Sequence, residues 1–305
     1  MTRVTEEGAR MSDIQLVESI DLAQEVAPTP SPSGNTVSKG SRARAQSGRV
    51  LRVVIPPLVL LTLLIGFWQW YVVTHHSQPT VLPSPGRVVR QGWQNRDTIW
   101  QNTKPTLQVT LIGFSLSLAV GWTLAILSDF STWLRRGFMP ILVASQTLPI
   151  IALAPLMILW FGFGILPKVL VVALVTFFPI TISLIEGFGS AEHEATNLLR
   201  SMGANKWKRF RYVRLPSALP FFFAGLRIAI TYAVVGAIFA EYVGAFKGLG
   251  IYMSVQKNQF RTDLVLAAVL VTALLSIGLF LATYLLQRIC IPWYAKSRRR
   301  NTGAN

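Results

Sequence analysis

Sulfur and negative charge are both scarce in this chain of 305 residues. Cys290 is its one cysteine, which excludes an intrachain disulfide and any metal site built from several thiolates. Of its three histidines, His75 and His76 are adjacent and have no cluster of carboxylates nearby in sequence, so no metal centre is expected there. Asp and Glu number 13 against 29 Lys and Arg, and charged residues make up only 14% of the chain. That is too little charge to cover a soluble domain of this length. Catalytic signatures are missing too. No G-x-x-x-x-G-K-[ST] run is present to cradle nucleotide phosphates, and no nucleophile stands at a recognisable spacing from a base. The chain is therefore read as a non-enzyme that binds no cofactor itself.

What the sequence has in abundance is apolar length. Hydrophobic residues are 51% of the chain, and the mean hydropathy is +0.46. Six segments reach the roughly 20 residues needed to span a bilayer as a helix: Val53–Val73, Leu107–Leu127, Phe138–Trp160, Leu166–Ile185, Ala218–Ala240 and Leu264–Gln287. Barrel strands would be about ten residues long and alternating, so the expected fold class is an all-α integral membrane bundle. The first span follows a polar stretch without a cleavage-like site and reads as a signal anchor.

The surplus of +16 would suit nucleic acid if it were spread along a groove. It is instead gathered at span ends. Basic residues concentrate before Val53, at Arg135 and Arg136, from Arg200 to Arg214, and after Gln287. The opposite loops carry mainly Arg87, Arg90, Arg96, Lys104, Lys247, Lys257 and Arg261. This bias predicts both termini in the cytoplasm and anionic lipid, not nucleic acid, as the partner of the charge. Residues 1–49, with TPSPSG at Thr29–Gly34 and SKGSRAR at Ser38–Arg44, read as a disordered tail, with a short amphipathic helix conceivable at Ile14–Val26. Residues 50–290 form the spanning domain, and 291–305 a basic cytoplasmic tail.

The longest inner loop, residues 190–216, is the most patterned. Ala195, Leu198, Leu199 and Met202 share one helical face, Gly203 breaks it, and a second short helix is expected from Lys206 to Val213, ended by Pro216. A helix–turn–helix of this kind suits a lipid surface, an ordinary structured loop, or a docked partner.

Gly203, followed after nine residues by Val213-Arg214-Leu215-Pro216, resembles the EAA loop of binding-protein-dependent ABC importer permeases. Asn197-Leu198-Leu199 stands where that loop has Glu-Ala-Ala. Two further blocks, SQTLPIIALAPLMILWFGFG (Ser145–Gly164) and AEYVGAFKGLGIYM (Ala240–Met253), resemble the nitrate/sulfonate/taurine branch, and the wording around Ala240 is similar to permeases for the hydroxymethylpyrimidine precursor of thiamine. The resemblance covers about Leu107 to Gln287. It implies a MetI-like bundle that works as a homodimer in the bacterial inner membrane. It also implies a separate cytoplasmic ATPase dimer using ATP and magnesium, and an extracytoplasmic binding protein. Asn197, Leu198, Arg200, Gly203, Ala204, Leu215 and Pro216 would form the ATPase-docking element.

Several residues inside the spans carry their own expectations. Pro149 and Pro155 remove two backbone donors from the third span, which should kink or open it beside the polar Gln146 and Thr147. Gln146, Thr147 and Pro149 are candidates for the translocation path, with interhelical hydrogen bonding as the equal alternative. Glu241, at the outer end of the fifth span, is a further candidate unless Lys247 or Arg261 pairs with it. Arg227 should snorkel toward the inner face. Gly113, Ser117 and Gly121 recur every four residues and point to close helix packing. A secondary transporter or channel would instead show inverted repeats and mid-membrane ionisable residues, and a membrane-embedded enzyme would show a catalytic cluster. The sequence has none of these. Few fixed positive charges lie in the spans, which leans the substrate toward a neutral heterocycle and away from an anion.

Overall fold

The computed structural model describes residues 39–75, 78, 80–147 and 149–292. The chain divides into two compact units, residues 1–63 and 64–305. Helix α1 (Lys39–Thr74) supplies the described part of the first unit and opens the second. It begins within the segment read as a tail. Residues 1–38, with the helix suggested at Ile14–Val26, lie outside the described residues, as do 293–305.

All regular structure among the described residues is helical. After α1 come α2 (Pro85–Gln94), α3 (Arg96–Phe130), α4 (Thr132–Ser145), α5 (Ile150–Phe161) and α6 (Leu166–Gly189). The short α7 (His193–Ser201) and α8 (Lys206–Arg209) lead through one π-helical turn, Phe210–Arg214, into α9 (Leu215–Gly244). Helices α10 (Leu249–Asn258) and α11 (Thr262–Cys290) finish the bundle. Five helical stretches are long and apolar enough to cross a membrane: Ile55–Thr74, α3, α6, Lys206–Gly244 and α11.

The third expected span takes a different form. Phe138–Trp160 is divided between α4 and α5, which are separated at Gln146–Pro149. Pro149 has φ −70° and ψ 120° and caps α5 in an extended conformation, so the chain leaves the helix before it. Pro155 sits inside α5 without ending it.

Helix α6 lies at the centre, flanked by α3 on one side and α9 on the other. The small-residue stripe explains the first contact. A Cβ on Gly113 would stand 2.6 Å from Val172 Cβ, and one on Gly121 would stand 2.9 Å from the Thr181 hydroxyl. Between them Thr176 Oγ1 lies 2.8 Å from Ser117 Oγ. The stripe therefore packs helices within the protomer. Val172, Ile180, Leu184, Phe223, Leu226 and Ile230 fill the core it helps to close.

A second cluster holds the opposite end together. Val88 of α2, Ile99 of α3, Leu249 and Tyr252 of α10, and Leu264 of α11 are buried against one another, with Trp68 packed beside them. Ser84 caps α2, accepting from the Arg87 N–H at 3.4 Å, and Pro85 opens it. Arg87 Nε donates to Asp263 Oδ2 at 3.1 Å, tying α2 to the start of α11. Nearby, His75 stacks on Tyr71 with ring centroids 4.3 Å apart. His76 lies outside the described residues.

Candidate functional site

The basic loop folds as two short helices set at a turn that only its glycine fits easily. Gly203 has φ +78°. Its N–H donates to Arg200 O at 3.0 Å, and the Ala204 N–H donates to Leu199 O at 2.9 Å. This pair of bonds is the Schellman closure of α7. Asn205 then starts α8, its side chain accepting from the Lys208 N–H at 2.9 Å. No residue of α7 is buried. Leu198 is 65% exposed, Met202 73% and Trp207 56%, so an apolar ridge points away from the bundle.

Aromatic rings and one ion pair anchor the ridge from behind. Phe210 is buried between Phe130 and Phe188, with centroids 5.4 and 5.3 Å away, and Trp207 stacks on both Phe130 and Phe210. Arg214 Nη1 donates to Asp129 Oδ1 at 2.6 Å, joining the π-turn to the end of α3, and the Asp129 side chain is only 5% exposed. The sequence pattern places Trp207 and Phe210 on one face with Val213, but neither Asp129 nor the partner rings Phe130 and Phe188 were singled out from it. Their signal was faint, a lone acid ending an apolar run.

Pro216 does not end the second short helix as expected. The helix runs on from Lys206 to Gly244. A proline inside an α-helix lacks one N–H and presses on the carbonyl four residues back. Here the preceding turn widens: the Leu215 N–H reaches Phe210 O, one residue further than an α-turn, and Ser217 Oγ donates to Val213 O at 2.9 Å. The sequence-assigned docking set thus splits. Asn197, Leu198 and Arg200 are exposed on α7, Gly203 and Ala204 make the turn, and Leu215 and Pro216 are half-buried supports, with Leu215 against the core.

Gln146, Thr147 and Pro149 come together at the break between α4 and α5. They are exposed and, with Ser145, line an open cavity of ≈ 610 Å³. Phe178 and Ser183 of α6 and Ile228 and Tyr232 of α9 line its other side. No lining residue is Asp, Glu, Lys, Arg or His. Arg227 is half-buried beside this wall, and its Nε donates to Phe223 O at 3.2 Å.

Glu241 is not on that cavity. Its partners are also not Lys247 or Arg261; Arg261 donates to Gln91 Oε1 instead, at 3.4 Å. Glu241 is 0% exposed and sits where α3, α9 and α10 meet. Its Oε2 accepts from the Thr106 hydroxyl and from the Gly250 N–H, each at 2.9 Å. The Leu249 N–H donates to Thr106 Oγ1 at 2.8 Å, and the Gly248 N–H donates to Asn102 Oδ1 at 3.1 Å. Gly248 has φ +137°, and a Cβ there would overlap the Glu241 carboxylate. The Gly248-Leu249-Gly250 backbone thus lies over a buried acid, and the result is a clasp that fixes α10. The sequence offered Lys247 or Arg261 as a partner; the partners are instead the Thr106 hydroxyl and the Gly250 N–H, which no local pattern shows.

Comparison with known proteins agrees with this architecture. Residues 117–296 match the family model described as "Binding-protein-dependent transport system inner membrane component". The riboflavin transport system permease protein RibX of Chloroflexus aurantiacus is 38% identical over 78% of this chain and 89% of its own length. The formylaminopyrimidine transport permease protein ThiX of Halalkalibacterium halodurans is 37% identical over 79% of this chain and 97% of its own. Among solved structures, the MetNI methionine ABC transporter in an inward-facing conformation superposes with a TM-score of 0.54 at 19% identity. The match covers 65% of this chain and 96% of that one, which is a likeness of fold. The chain belongs to the binding-protein-dependent inner-membrane permease family of ABC importers, in the branch that also holds taurine, sulfonate and nitrate permeases.

Proposed function

We propose that this chain forms the translocation path of an ATP-driven importer, works as a pair, and passes motion from a separate ATPase through the loop from His193 to Arg214. The observation that carries the reading is the apolar ridge of Leu198, Met202 and Trp207. A membrane protein that exposes such a ridge on a short helix, braced from behind by Phe210 and the Asp129–Arg214 pair, offers a surface for a partner. The partner is a cytoplasmic ATPase dimer that uses ATP and magnesium, and an extracytoplasmic binding protein delivers the solute from the other side.

The solute is a small uncharged heterocycle. The cavity beside the α4–α5 break is lined by the amide- and hydroxyl-bearing Gln146, Ser145, Thr147 and Ser183 together with the aromatic Phe178 and Tyr232. Such a lining pairs with ring nitrogens and carbonyls and stacks on a planar ring, whereas a bare sulfonate or nitrate would find no cation to offset its desolvation. The names of two relatives, for riboflavin and formylaminopyrimidine, are of the same chemical kind.

Two measurements test the reading. Co-purification in detergent with ATPases encoded beside the gene should yield a stable complex, lost on Leu198→Asp. Calorimetry of the cognate binding protein should show a flavin or pyrimidine as ligand. Tight binding of taurine or nitrate would overturn the substrate class and leave the docking reading standing.

A further inference from the structure

A second, smaller cavity of ≈ 190 Å³ opens on the far side of the Asp129–Arg214 pair. Its walls are Asp129, Phe130, Thr132, Lys206, Arg209 and Arg214. The one acid is already engaged by Arg214 at 2.6 Å. Lys206 and Arg209 form no ion pair among the described residues, so two positive charges in the cavity wall stand unbalanced. The Nε of Arg209 is buried and has no hydrogen-bond partner. Folds seldom leave a charged donor in that condition, because nothing replaces the water it has lost.

We propose that this cavity binds the phosphate group of an anionic phospholipid. Position supports the assignment. Helix α3 is a membrane-spanning stretch that ends at Phe130, so the cavity lies where a span reaches the headgroup layer. Trp133 and Trp207 flank it with exposed indoles, the side chain most at home at that depth. Chemistry supports it too. A guanidinium fork, an ammonium and the Thr132 hydroxyl are the donors that phosphate oxygens accept from best. Thr132 is also the first residue of α4; Ser131 caps the Leu134 N–H there, and the N–H groups before it have no partner within the helix. The volume admits a phosphate group. No residue of α7 lines the cavity, so it touches the apolar ridge only at α8, beside Trp207.

Native mass spectrometry of the full chain, released from nanodiscs containing equal phosphatidylglycerol and phosphatidylcholine, tests the site. The wild type should retain phosphatidylglycerol in preference, and Lys206→Gln/Arg209→Gln should retain about tenfold less or lower still. That variant keeps the Asp129–Arg214 pair, and its elution volume from size exclusion reports whether it has folded. Lys247→Gln/Lys257→Gln, at the opposite end, should retain lipid as the wild type does. A parallel arm titrates inorganic phosphate into lipid-stripped protein and reads the thermal midpoint. A rise in the wild type that is absent from Lys206→Gln/Arg209→Gln, without any lipid preference, assigns the site to free phosphate. No preference and no rise, or equal retention by a folded Lys206→Gln/Arg209→Gln variant, overturns the proposal. So does the finding that the variant loses only its association with the ATPase, which would make a protein carboxylate the true occupant.

Discussion

The Thr106 hydroxyl of α3 stands 2.9 Å from the fully buried Glu241 carboxylate of α9, across 135 residues of chain. The same hydroxyl oxygen accepts the Leu249 N–H, so one threonine orders both the acid and the loop that covers it. Thr106→Val removes the hydroxyl, strands the buried Leu249 N–H and leaves Glu241 Oε2 with the Gly250 N–H alone. The expected loss is about 2 kcal/mol, an unpaired buried donor costing about 1–3 kcal/mol. Thermal unfolding in detergent, followed by size exclusion, would measure it. Glu241→Gln should be milder, because the amide oxygen still accepts from Gly250 or Thr106.

Gly248 and Gly203 both hold a positive φ, and the structure separates their fates. An alanine Cβ at Gly248 would collide with the Glu241 carboxylate, while at Gly203 it would meet nothing within 4 Å. Gly248→Ala should therefore abolish the folded yield. Gly203→Ala should cost only the left-handed backbone penalty of about 1–2 kcal/mol and remain monodisperse.

Gly203→Asp should insert and fold but transport nothing. Asp tolerates a left-handed φ better than most residues, so the chain itself is only slightly strained. The new carboxylate stands in open space on the ridge, where a docked partner would meet it. Uptake in whole cells, alongside membrane yield, separates the two effects; wild-type uptake would count against docking at this turn.

Asp129 and Arg214 should be coupled in a double-mutant cycle. Arg214→Met strands a carboxylate that is nearly inaccessible to water, and the expected destabilisation is about 1–3 kcal/mol, reduced from the fully buried case because Arg214 is 35% exposed. Adding Asp129→Asn should restore part of that loss. Equal and additive single effects would show that the pair contributes nothing.

Leu198→Asp and Met202→Ser should leave chain stability within about 0.5 kcal/mol of the wild type, since neither side chain packs against the bundle. Any loss of ATPase association then reports the surface alone.

Apolar length was enough to read most of the bundle. The stretches of α3, α6, α9 and α11 all contain an expected span, because roughly 20 apolar residues leave few other solutions in a bilayer. The small-residue stripe at Gly113, Ser117 and Gly121 was readable for a similar reason, since its spacing sets a face. Features that depend on distant partners were not readable. Glu241 meets one backbone N–H and one hydroxyl that no pattern advertises, and Asp129 finds Arg214 only after 85 residues of chain have folded. The short helix α2 was passed over although it carried a signal, since Ser84-Pro85 is a cap followed by a helix-opening proline. Pro216 misled because a proline's usual effect is to stop a helix, and a widened turn upstream let this one continue.

That widened turn has a mechanical consequence. Regular α-helix transmits torque stiffly because every carbonyl is tied one turn ahead. Between Phe210 and Arg214 that ladder is interrupted, and the rod from Lys206 to Gly244 acquires a compliant joint at the point where the rings of Phe130 and Phe188 grip it. A sideways push on α7 and α8 therefore does not bend the long helix evenly along its length. The widened turn at Phe210 is where bending is expected to concentrate.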